Sequence, residues 1–487
     1  MKNKKSKSRR EFIKKSGLIG TGVFIVPRHV LGGTGYTAPS DQLALAAIGS
    51  GGKGTSDIKN AYLNGKNRVV ALCDVDSARA ASSYTAHSNA TQYSDYRVML
   101  AKEKGIDAIT ISTPDHNHAK IAYDCMNQGI HVYVQKPLTH TIAEARLLTK
   151  TAQQNKVVTQ MGNQGGSGTG VPKVQEWVDK NKVGKIHTIY AWTNRPVWPQ
   201  GVDHPLSNAA EKPKSLDWDL WLGTSKTKPY APGLHPFDWR GFWEYGTGAL
   251  GDIGCHTLDL PYKTLKLGFP TSVECTATNV FKKMWIPEYT PEGCPISSMV
   301  TIGYDNTPYN KDGIKLIWMD GGLTPTIPEE ISEEFIMGFE KGKSSGIMMI
   351  GDKGVITSEI YGNMPTLYVK GEKPVVFDTS NQGDVSTIHS QTWTEACKAG
   401  FNSPEHKNLT SSFDYAGPFT ETVLMGNLAL RSHSLRKSNG NRKGRNEFQY
   451  YGRKKLLWDG GNMRIKNLDE ANEFVTKTYR QGWELPI

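Results

Sequence analysis

Asp252 and His256 are four residues apart, so their side chains share one face if this segment is helical. A carboxylate in that position can orient an imidazole and stabilise its protonated form, which would make His256 a general acid or base. The same spacing also suits an ordinary intrahelical ion pair or a metal site. Six scattered cysteines form no C-x-x-C pair, so no zinc motif accompanies the pair, and we predict no metal.

A second chemical feature is the glycine-rich loop Gly49-Ser50-Gly51-Gly52-Lys53-Gly54. A lone G-x-G-x-x-G is a weak signal, but this loop lies between a buried-strand pattern and a helical one, as phosphate binding requires. Gly49 would permit the tight turn, and Gly51 would let the backbone approach a pyrophosphate at the helix N-terminus. The loop therefore predicts a dinucleotide site.

Asp74 lies 25 residues after Gly49, directly after the apolar run Val69–Cys73. A carboxylate there can accept hydrogen bonds from the adenosine ribose hydroxyls and would repel a 2′-phosphate. This position favours NAD over NADP as the cofactor. The alternative is that Asp74 only caps a turn.

Residues 41–165 carry the pattern of a scaffold that would position these groups. Short apolar runs alternate with helical segments, which predicts an α/β domain of the Rossmann type with a doubly wound parallel sheet. The predicted strands are Leu43–Ile48, Val69–Cys73, Ala108–Ser112, His131–Val134 and Val157–Met161. The predicted helices are Asp57–Leu63, Tyr96–Lys104, Ala119–Gln128 and Ile142–Gln154.

Residues 166–487 have a different pattern, which begins after a glycine-rich crossover. Longer alternating runs predict a substrate-binding α+β domain with a large, mostly antiparallel sheet that has one open face. Examples of these runs are Lys185–Trp192, Ser298–Tyr304 and Ile314–Met319. Because an open face needs cover, we expect a homo-oligomer, a dimer or tetramer, through this sheet.

The basic charge of the chain is concentrated at its N-terminus. Residues 1–15 hold eight Lys and Arg against Glu11, whereas the whole chain has a formal charge of +11. The rest of the chain is close to neutral, which argues against a nucleic-acid partner. Arg9 and Arg10 precede an apolar stretch of about ten residues, far short of the roughly 20 that span a bilayer. We expect residues 1–40 to be a twin-arginine-type leader and linker of a periplasmic protein, which would stay anchored if uncleaved, and no transmembrane span.

Two further segments make a family resemblance specific. They are Ser112-Thr113-Pro114-Asp115-His116-Asn117-His118 and Val134-Gln135-Lys136-Pro137-Leu138, each at the carboxyl end of a predicted strand. Together with the glycine loop they resemble the Gfo/Idh/MocA family, named for glucose–fructose oxidoreductase, inositol dehydrogenase and a rhizopine-catabolism protein. The resemblance continues through 239–243, 248–256, 458–460 and 479–483, nearly to the end of the chain. It is closest to the exported bacterial branch with an enlarged C-terminal domain.

The resemblance implies roles for particular residues. Lys136 would reach a substrate hydroxyl and the nicotinamide together, and a lysine there can take the hydroxyl proton as hydride leaves. The Lys136–Pro137 bond would be cis, and Asp252 and His256 would face the substrate. Further cofactor contacts are expected from Thr113, Pro114, His116, His118, Gln135 and Gln164. Sugar hydroxyls would be bound by Arg195, Trp198 and Arg240, although each of these could equally be structural.

One position departs from the family pattern. The family usually has Glu before Lys-Pro, whereas this chain has Gln135. Loss of that carboxylate changes the electric field at Lys136 and at the nicotinamide, so it bears on rate, substrate and activity itself. A glutamine still forms hydrogen bonds, and the change preserves the shape of the side chain.

The leading function is an NAD-dependent oxidoreductase that transfers hydride from a sugar, glycoside or polyol. Because a periplasmic enzyme has little free nicotinamide to draw on, we expect a tightly bound cofactor that is recycled within each catalytic cycle. The alternative is an NAD-dependent glycosidase that works by transient oxidation at C3 and elimination. A third hypothesis is a non-catalytic sugar-binding protein with a structural nucleotide, which Gln135 favours.

Overall fold

The computed structural model describes residues 41–205, 210–329, 331, 345–442 and 444–487. The predicted leader, residues 1–40, lies outside the described residues. From Leu43 to Ile487 the chain forms one compact unit built on two sheets. The domain boundary at residue 165 therefore stays a prediction, although each sheet lies on its own side of it.

The first sheet has six parallel strands in the order β3-β2-β1-β4-β5-β6. Its strands are β1 (Ala44–Ile48), β2 (Arg68–Cys73), β3 (Thr91–Tyr93), β4 (Ala108–Ile111), β5 (His131–Val134) and β6 (Thr159–Met161). The strand order reverses between β1 and β4, and ligands of such sheets bind in the crevice beyond the carboxyl ends at this point. The predicted parallel sheet is confirmed. Sequence patterns missed β3 because it is a short, polar and exposed edge strand.

Helices connect these strands and cover both faces of the sheet. They are α1 (Lys53–Tyr62), α2 (Ala81–Ala86), α3 (Tyr96–Lys102), α4 (Asp115–Met126) and α5 (Ile142–Asn155). Both α1 and α4 begin four residues before their predicted starts. Their first turns are made of glycine and polar residues, which give no apolar periodicity.

The second sheet has ten strands in the order β18-β17-β16-β15-β7-β14-β13-β10-β21-β22 and is mostly antiparallel. Its first members are β7 (Ile186–Trp192), β10 (Ser272–Ala277), β13 (Ser298–Tyr304), β14 (Ile314–Met319) and β15 (Gly346–Gly351). The others are β16 (Gly354–Glu359), β17 (Thr366–Val369), β18 (Val375–Val376), β21 (Leu456–Asp459) and β22 (Arg464–Ile465). The predicted large antiparallel sheet is confirmed, and β7 and β14 form its parallel pair.

The two faces of the second sheet differ in cover. Helices α8 (Gly248–Thr257) and α12 (Phe413–His433) pack on one face, where Val300 and Trp318 are fully buried. On the other face, Ile331 packs against Trp192 and partly closes it. The predicted open face is therefore partly covered by the chain itself, and the homo-oligomer stays a prediction.

The remaining elements lie outside the two sheets. The helices are α6 (Gly170–Asp179), α7 (Trp218–Leu222), α9 (Asp259–Thr264), α10 (Val385–Ala399) and α11 (Pro404–Lys407). The two-stranded ribbons pair β8 (Pro232–Gly233) with β9 (His235–Pro236), β11 (Phe281–Lys283) with β12 (Ile286–Pro287), and β19 (Arg436–Ser438) with β20 (Phe448–Tyr450). Single 3₁₀ turns occupy Leu63–Gly65, Gln164–Ser167, Asp238–Gly241, Ile360–Gly362, Gly444–Asn446 and Asp469–Phe474. Within the described ranges, no helix is both long and apolar enough to span a bilayer.

Candidate active site

A cavity of about 500 Å³ lies at the carboxyl ends of β1, β4 and β5 and extends to helix α8. It brings together residues that the sequence predicted separately for cofactor, catalysis and substrate. Those that line it are Gly49, Gly51, Asp74, Thr113, Pro114, Gln135, Lys136, Gln164, Arg195, Trp198, Arg240, Asp252 and His256. The glycine loop and the acid–base candidates Lys136, Asp252 and His256 therefore line the same cavity.

The glycine loop is built for a close approach of backbone to backbone. Gly49 has a φ of +79°, and a Cβ there would lie 2.7 Å from the carbonyl carbon of Ser112. A Cβ on Gly54 would overlap the carbonyl oxygen of Gly49, so α1 can pack this tightly on β1 only with glycine. Helix α1 has no side-chain cap and no acidic residue in its first turn. This N-terminus fits a pyrophosphate.

The side chain of Arg79 lies over this loop, and sequence patterns did not single it out. A Cβ on Gly51 would lie 2.7 Å from Arg79 Cγ, and one on Gly52 would collide with its guanidinium. Gly52 also has a φ of +59°, which favours glycine. A flexible guanidinium at this position can bind a phosphate.

Asp74 forms hydrogen bonds with the backbone of the glycine loop and with the segment after β2. Its Oδ2 accepts a hydrogen bond from Gly51 N at 2.8 Å, and its Oδ1 accepts one from Asp76 N at 2.9 Å. Burial raises the pKa of Asp74, and these two backbone bonds oppose that shift only in part. These backbone contacts are the ones expected if Asp74 caps a turn. Each carboxylate oxygen keeps a second lone pair, so a ribose hydroxyl still fits.

Lys136 and Asp252 form an ion pair inside the cavity. Lys136 Nζ lies 2.7 Å from Asp252 Oδ1, and the guanidinium of Arg240 lies 3.5 Å from the same oxygen. Burial tends to raise the pKa of Asp252, but Lys136 and Arg240 outweigh it and hold the pKa below its ordinary value. The Lys136–Pro137 peptide bond is cis, as expected.

His256 shares a helix face with Asp252, but the two are not the hydrogen-bonded pair that their spacing suggested. The Asp252 carboxylate is bound by Lys136, and His256 Nδ1 has no hydrogen-bond partner among the described residues. Burial, reinforced by the Lys136 ammonium, holds the pKa of His256 well below its usual value. His256 is therefore a neutral imidazole at neutral pH, which can donate from one nitrogen and accept at the other.

Gln135 has a partner that accounts for its side chain. Its Nε2 donates to Asp57 Oδ2 at 2.9 Å, and the same oxygen accepts from Ser112 Oγ at 2.8 Å. The other oxygen of Asp57 lies 2.6 Å from Lys53 Nζ. Asp57 is buried in α1, so a carboxylate lies beside Gln135 even though position 135 itself is neutral. Asp57 was missed, and its i, i+4 spacing from Lys53 is the only signal for it.

His116 and His118 do not line the cavity, which differs from their expected role as cofactor contacts. The ring nitrogens of His116 face the carbonyl oxygens of Tyr245 and Trp221, and burial lowers its pKa to about 3. The nitrogens of His118 face the carbonyl oxygens of Thr113 and Pro137, both at 2.8 Å. His118 therefore connects the segments that follow β4 and β5, whereas His116 contacts Trp221 of α7 and Tyr245 in the loop before α8.

Aromatic side chains form the cavity wall on the side predicted for a sugar. Arg240 lies over the ring of Trp239 at 4.3 Å and that of Phe237 at 4.6 Å, and Trp198 lines the same wall. Trp198 is buried, and its Nε1 donates to Gln200, so only part of its ring is available. Such a wall, in a cavity that Arg195 also lines, suits the apolar faces and hydroxyls of a sugar ring.

Residues 215–240, here called the strap, run from the segment after β2 to the aromatic wall of the cavity. Asp217 N donates to the carbonyl oxygen of Val75 at 2.8 Å, which joins the strap to the segment after β2. His235 Nε2 lies 2.9 Å from Asp76 Oδ2. Because the segment after β2 flanks the adenosine end of such folds, the strap lies where it would cover that end of a dinucleotide.

The fold and the cavity together are typical of a dinucleotide-dependent oxidoreductase. The glycine loop suits a dinucleotide, and the lysine–aspartate pair and the aromatic wall lie in the same cavity. Residues 43–163 match the model described as oxidoreductase family, NAD-binding Rossmann fold, and residues 174–279 match the C-terminal alpha/beta domain of the same family. The chain belongs to the Gfo/Idh/MocA oxidoreductase family.

Relatives of the chain include proteins named for sugar chemistry. It is 22% identical over 326 residues to levoglucosan dehydrogenase of Pseudarthrobacter phenanthrenivorans, a match covering 65% of this chain and 69% of that protein. It is 30% identical over 164 residues to a glycosyl hydrolase family 109 protein of Solibacter usitatus, covering 30% of this chain and 36% of that one. Its fold resembles an inositol dehydrogenase homologue from Azotobacter vinelandii, solved with NADH and myo-inositol. That match has a TM-score of 0.53 and 14% identity and covers 79% of this chain and 94% of the other.

Proposed function

We propose that this chain is an NAD-dependent oxidoreductase that acts on a sugar, glycoside or polyol. The observation that carries the proposal is the Lys136–Asp252 pair at 2.7 Å, inside the cavity that the glycine loop also lines. Levoglucosan and inositol dehydrogenases among the relatives support the substrate class.

Lys136 is the proposed acid–base group. Bound NAD would supply the hydride acceptor at this site. The Asp252 carboxylate fixes the Lys136 ammonium in position, so that Nζ can hold or release the proton of a substrate hydroxyl. His256, kept neutral by burial, can accept a hydrogen bond from the same hydroxyl or donate one to it.

NAD is preferred over NADP because of the position of Asp74. Its half-buried carboxylate lies directly after β2, where a 2′-phosphate would be repelled. Arg79 is the residue that opposes this preference, since its guanidinium lies over the same loop. Measuring the affinities for NAD and NADP in the wild type and in Arg79→Ala shows how far Arg79 reduces the preference for NAD that Asp74 imposes.

The strap supports the proposal of a retained cofactor. Its hydrogen bond from Asp217 to Val75 and the His235–Asp76 contact must break before the adenosine end opens. Slow release suits a protein exported in folded form by a twin-arginine leader, and turnover would then be redox-neutral within each cycle. Exchange of labelled NAD from the purified protein tests this, because exchange within seconds would contradict retention.

A second candidate is an NAD-dependent glycosidase, which the relatives named glycosyl hydrolase family 109 favour. It uses the same lysine and histidine but releases a free sugar without net NADH. Chromatography of the products therefore separates the two activities.

The test of the leading proposal is a panel of levoglucosan, myo-inositol and methyl glucosides, incubated with the full chain and NAD. Reduction of the bound cofactor, seen as NADH absorbance on the protein, or a keto-sugar trapped with a hydrazine is the expected result. Absence of oxidation, of exchange between paired sugars and of glycoside cleavage on every probe would contradict it.

A further inference from the structure

Tyr361 lines the same cavity, although it comes from the second sheet and no sequence motif pointed to it. It lies in the turn Ile360–Gly362, directly after β16. Its ring packs against that of His256 with the centroids 4.6 Å apart and the planes at 66°. This contact places an aromatic side chain beside the proposed acid–base groups.

The backbone of Tyr361 adopts a conformation that a bulky residue rarely takes. Its φ is +68° and its ψ is 11°, in the left-handed region. The turn is closed by a hydrogen bond from Glu359 N to the carbonyl oxygen of Asn363, at 2.9 Å. Gln382 Nε2 donates to Asn363 Oδ1, also at 2.9 Å, and anchors the turn to the rest of the chain. Such strain persists only where the surroundings impose it, and it is common at functional sites.

Two glycines make room for this turn. A Cβ on Gly165 would lie 2.8 Å from Tyr361 Cα, and a Cβ on Gly170 would overlap the carbonyl oxygen of Gly362. Both belong to the glycine-rich crossover, which the sequence predicted only as a connection between domains. Their absent side chains let Tyr361 approach the cavity.

The hydroxyl of Tyr361 is subject to the charges of Lys136, Asp252 and Arg195. No hydrogen bond to it occurs among the residues that the structure describes. Burial raises the pKa of Tyr361, with Lys136 and Arg195 opposing the shift and Asp252 adding to it. The hydroxyl is therefore neutral at pH 7, and it can both donate and accept.

We propose that Tyr361 is a substrate-contacting residue whose hydroxyl binds a second hydroxyl of a polyol, next to the one that faces Lys136. The assignment rests on the proposed function and narrows it: the site selects polyhydroxylated rings over isolated alcohols. The turn holds Tyr361 in a strained conformation because this is the conformation that points its ring toward His256.

The test compares the wild type and Tyr361→Phe on substrates with and without each hydroxyl. The probes are methyl β-D-glucopyranoside and its monodeoxy analogues. We expect Tyr361→Phe to lower kcat/KM on the parent glucoside about tenfold, the size of one hydrogen bond, with NAD binding unchanged. One deoxy analogue should lose a similar factor with the wild type and nothing further with the variant. Equal kcat/KM for wild type and variant on the parent, or the same loss on every analogue, overturns the assignment. A wild type that oxidises none of these probes contradicts the proposed function as applied to glucosides, and the assignment falls with it.

A second variant separates function from structure. Asparagine tolerates the left-handed region, so Tyr361→Asn relieves the backbone strain but also removes the ring that packs on His256. These two effects oppose each other in the thermal midpoint, while kcat/KM should fall at least as far as in Tyr361→Phe. Lys156→Asn is the matched control, because Lys156 has a φ of +53° at the exposed end of α5. It relieves strain without the loss of a packed ring, so it should raise the midpoint or leave it unchanged, with kcat/KM unchanged. A lower midpoint in Tyr361→Asn with wild-type kcat/KM would show that the tyrosine is only structural.

Discussion

The Lys136 ammonium lies 2.7 Å from the Asp252 carboxylate, although 116 positions of sequence separate the two residues. Lys136 follows β5 of the parallel sheet, whereas Asp252 belongs to α8, which packs on the antiparallel sheet. The acid–base site therefore exists only where the two sheets meet, and neither half of the chain contains it alone.

Asp252→Asn should lower kcat about a hundredfold and leave NAD affinity unchanged, because the lysine loses the charge that positions it. In the wild type the pKa of Asp252 is below its ordinary value, so the pair is present above about pH 4 and is lost as the pH falls through the lowered pKa. A pH profile of kcat tests this. A limb above about pH 5 that disappears in Asp252→Asn would contradict the lowered pKa.

Lys136→Met should reduce kcat by about a thousandfold, since methionine fills a similar volume but carries no proton. Single-turnover measurements with added NAD separate this loss from cofactor binding, which should persist. Lys185→Met is the control, because Lys185 makes an exposed ion pair of 2.6 Å with Asp312. Equal losses in the two variants would refute the assignment of Lys136.

Gln135→Glu gives this chain the residue that its family usually carries, and we expect it to be harmful here. A glutamate would set a second carboxylate against Asp57, whose Oδ2 now accepts from Gln135 Nε2. Stability should fall by about 1–3 kcal/mol, and NAD affinity should fall with it. Adding Asp57→Asn to Gln135→Glu should restore most of both losses, as urea unfolding and NAD titration would show. Additive losses in the double variant would mean that the two side chains are not coupled.

The stability of the protein should decrease as the pH falls from about 7 to 5. Burial lowers the pKa of His116 to about 3 and that of His389 to about 4, whereas unfolded histidine titrates near 6.5. The unfolded state binds more protons over this interval, so each histidine contributes a loss of up to about 1.4 kcal/mol per pH unit. His389→Gln should flatten this slope in urea unfolding, while His187→Gln, at an exposed site on β7, should not. An unchanged slope in His389→Gln would contradict a buried neutral imidazole.

The elements that local periodicity defines were predictable from the sequence. Alternation in Ser298–Tyr304 and Ile314–Met319 gave those strands without error, and the strand–loop–helix pattern located the glycine loop. The role of Lys136 was implied by the family resemblance, and its place after β5 agrees with that role, because parallel strands present their carboxyl ends to one crevice.

Contacts between distant segments were not predictable. His116 was expected at the cofactor, but its ring lies between the carbonyl oxygens of Tyr245 and Trp221, which no local pattern connects to it. Tyr361 was missed because a turn after an antiparallel strand carries no periodic signal. Asp252 was paired with His256 on helix spacing, but its carboxylate forms an ion pair with Lys136, which follows a strand of the other sheet.

The proposed function requires that this chain carry and use a nicotinamide dinucleotide. Denaturing protein that was purified without added cofactor, and assaying the supernatant for NAD and NADH, tests this requirement. We expect close to one nicotinamide dinucleotide per chain, held beneath the strap. Protein that is empty, and that also fails to bind added NAD or NADP, would contradict the proposed function.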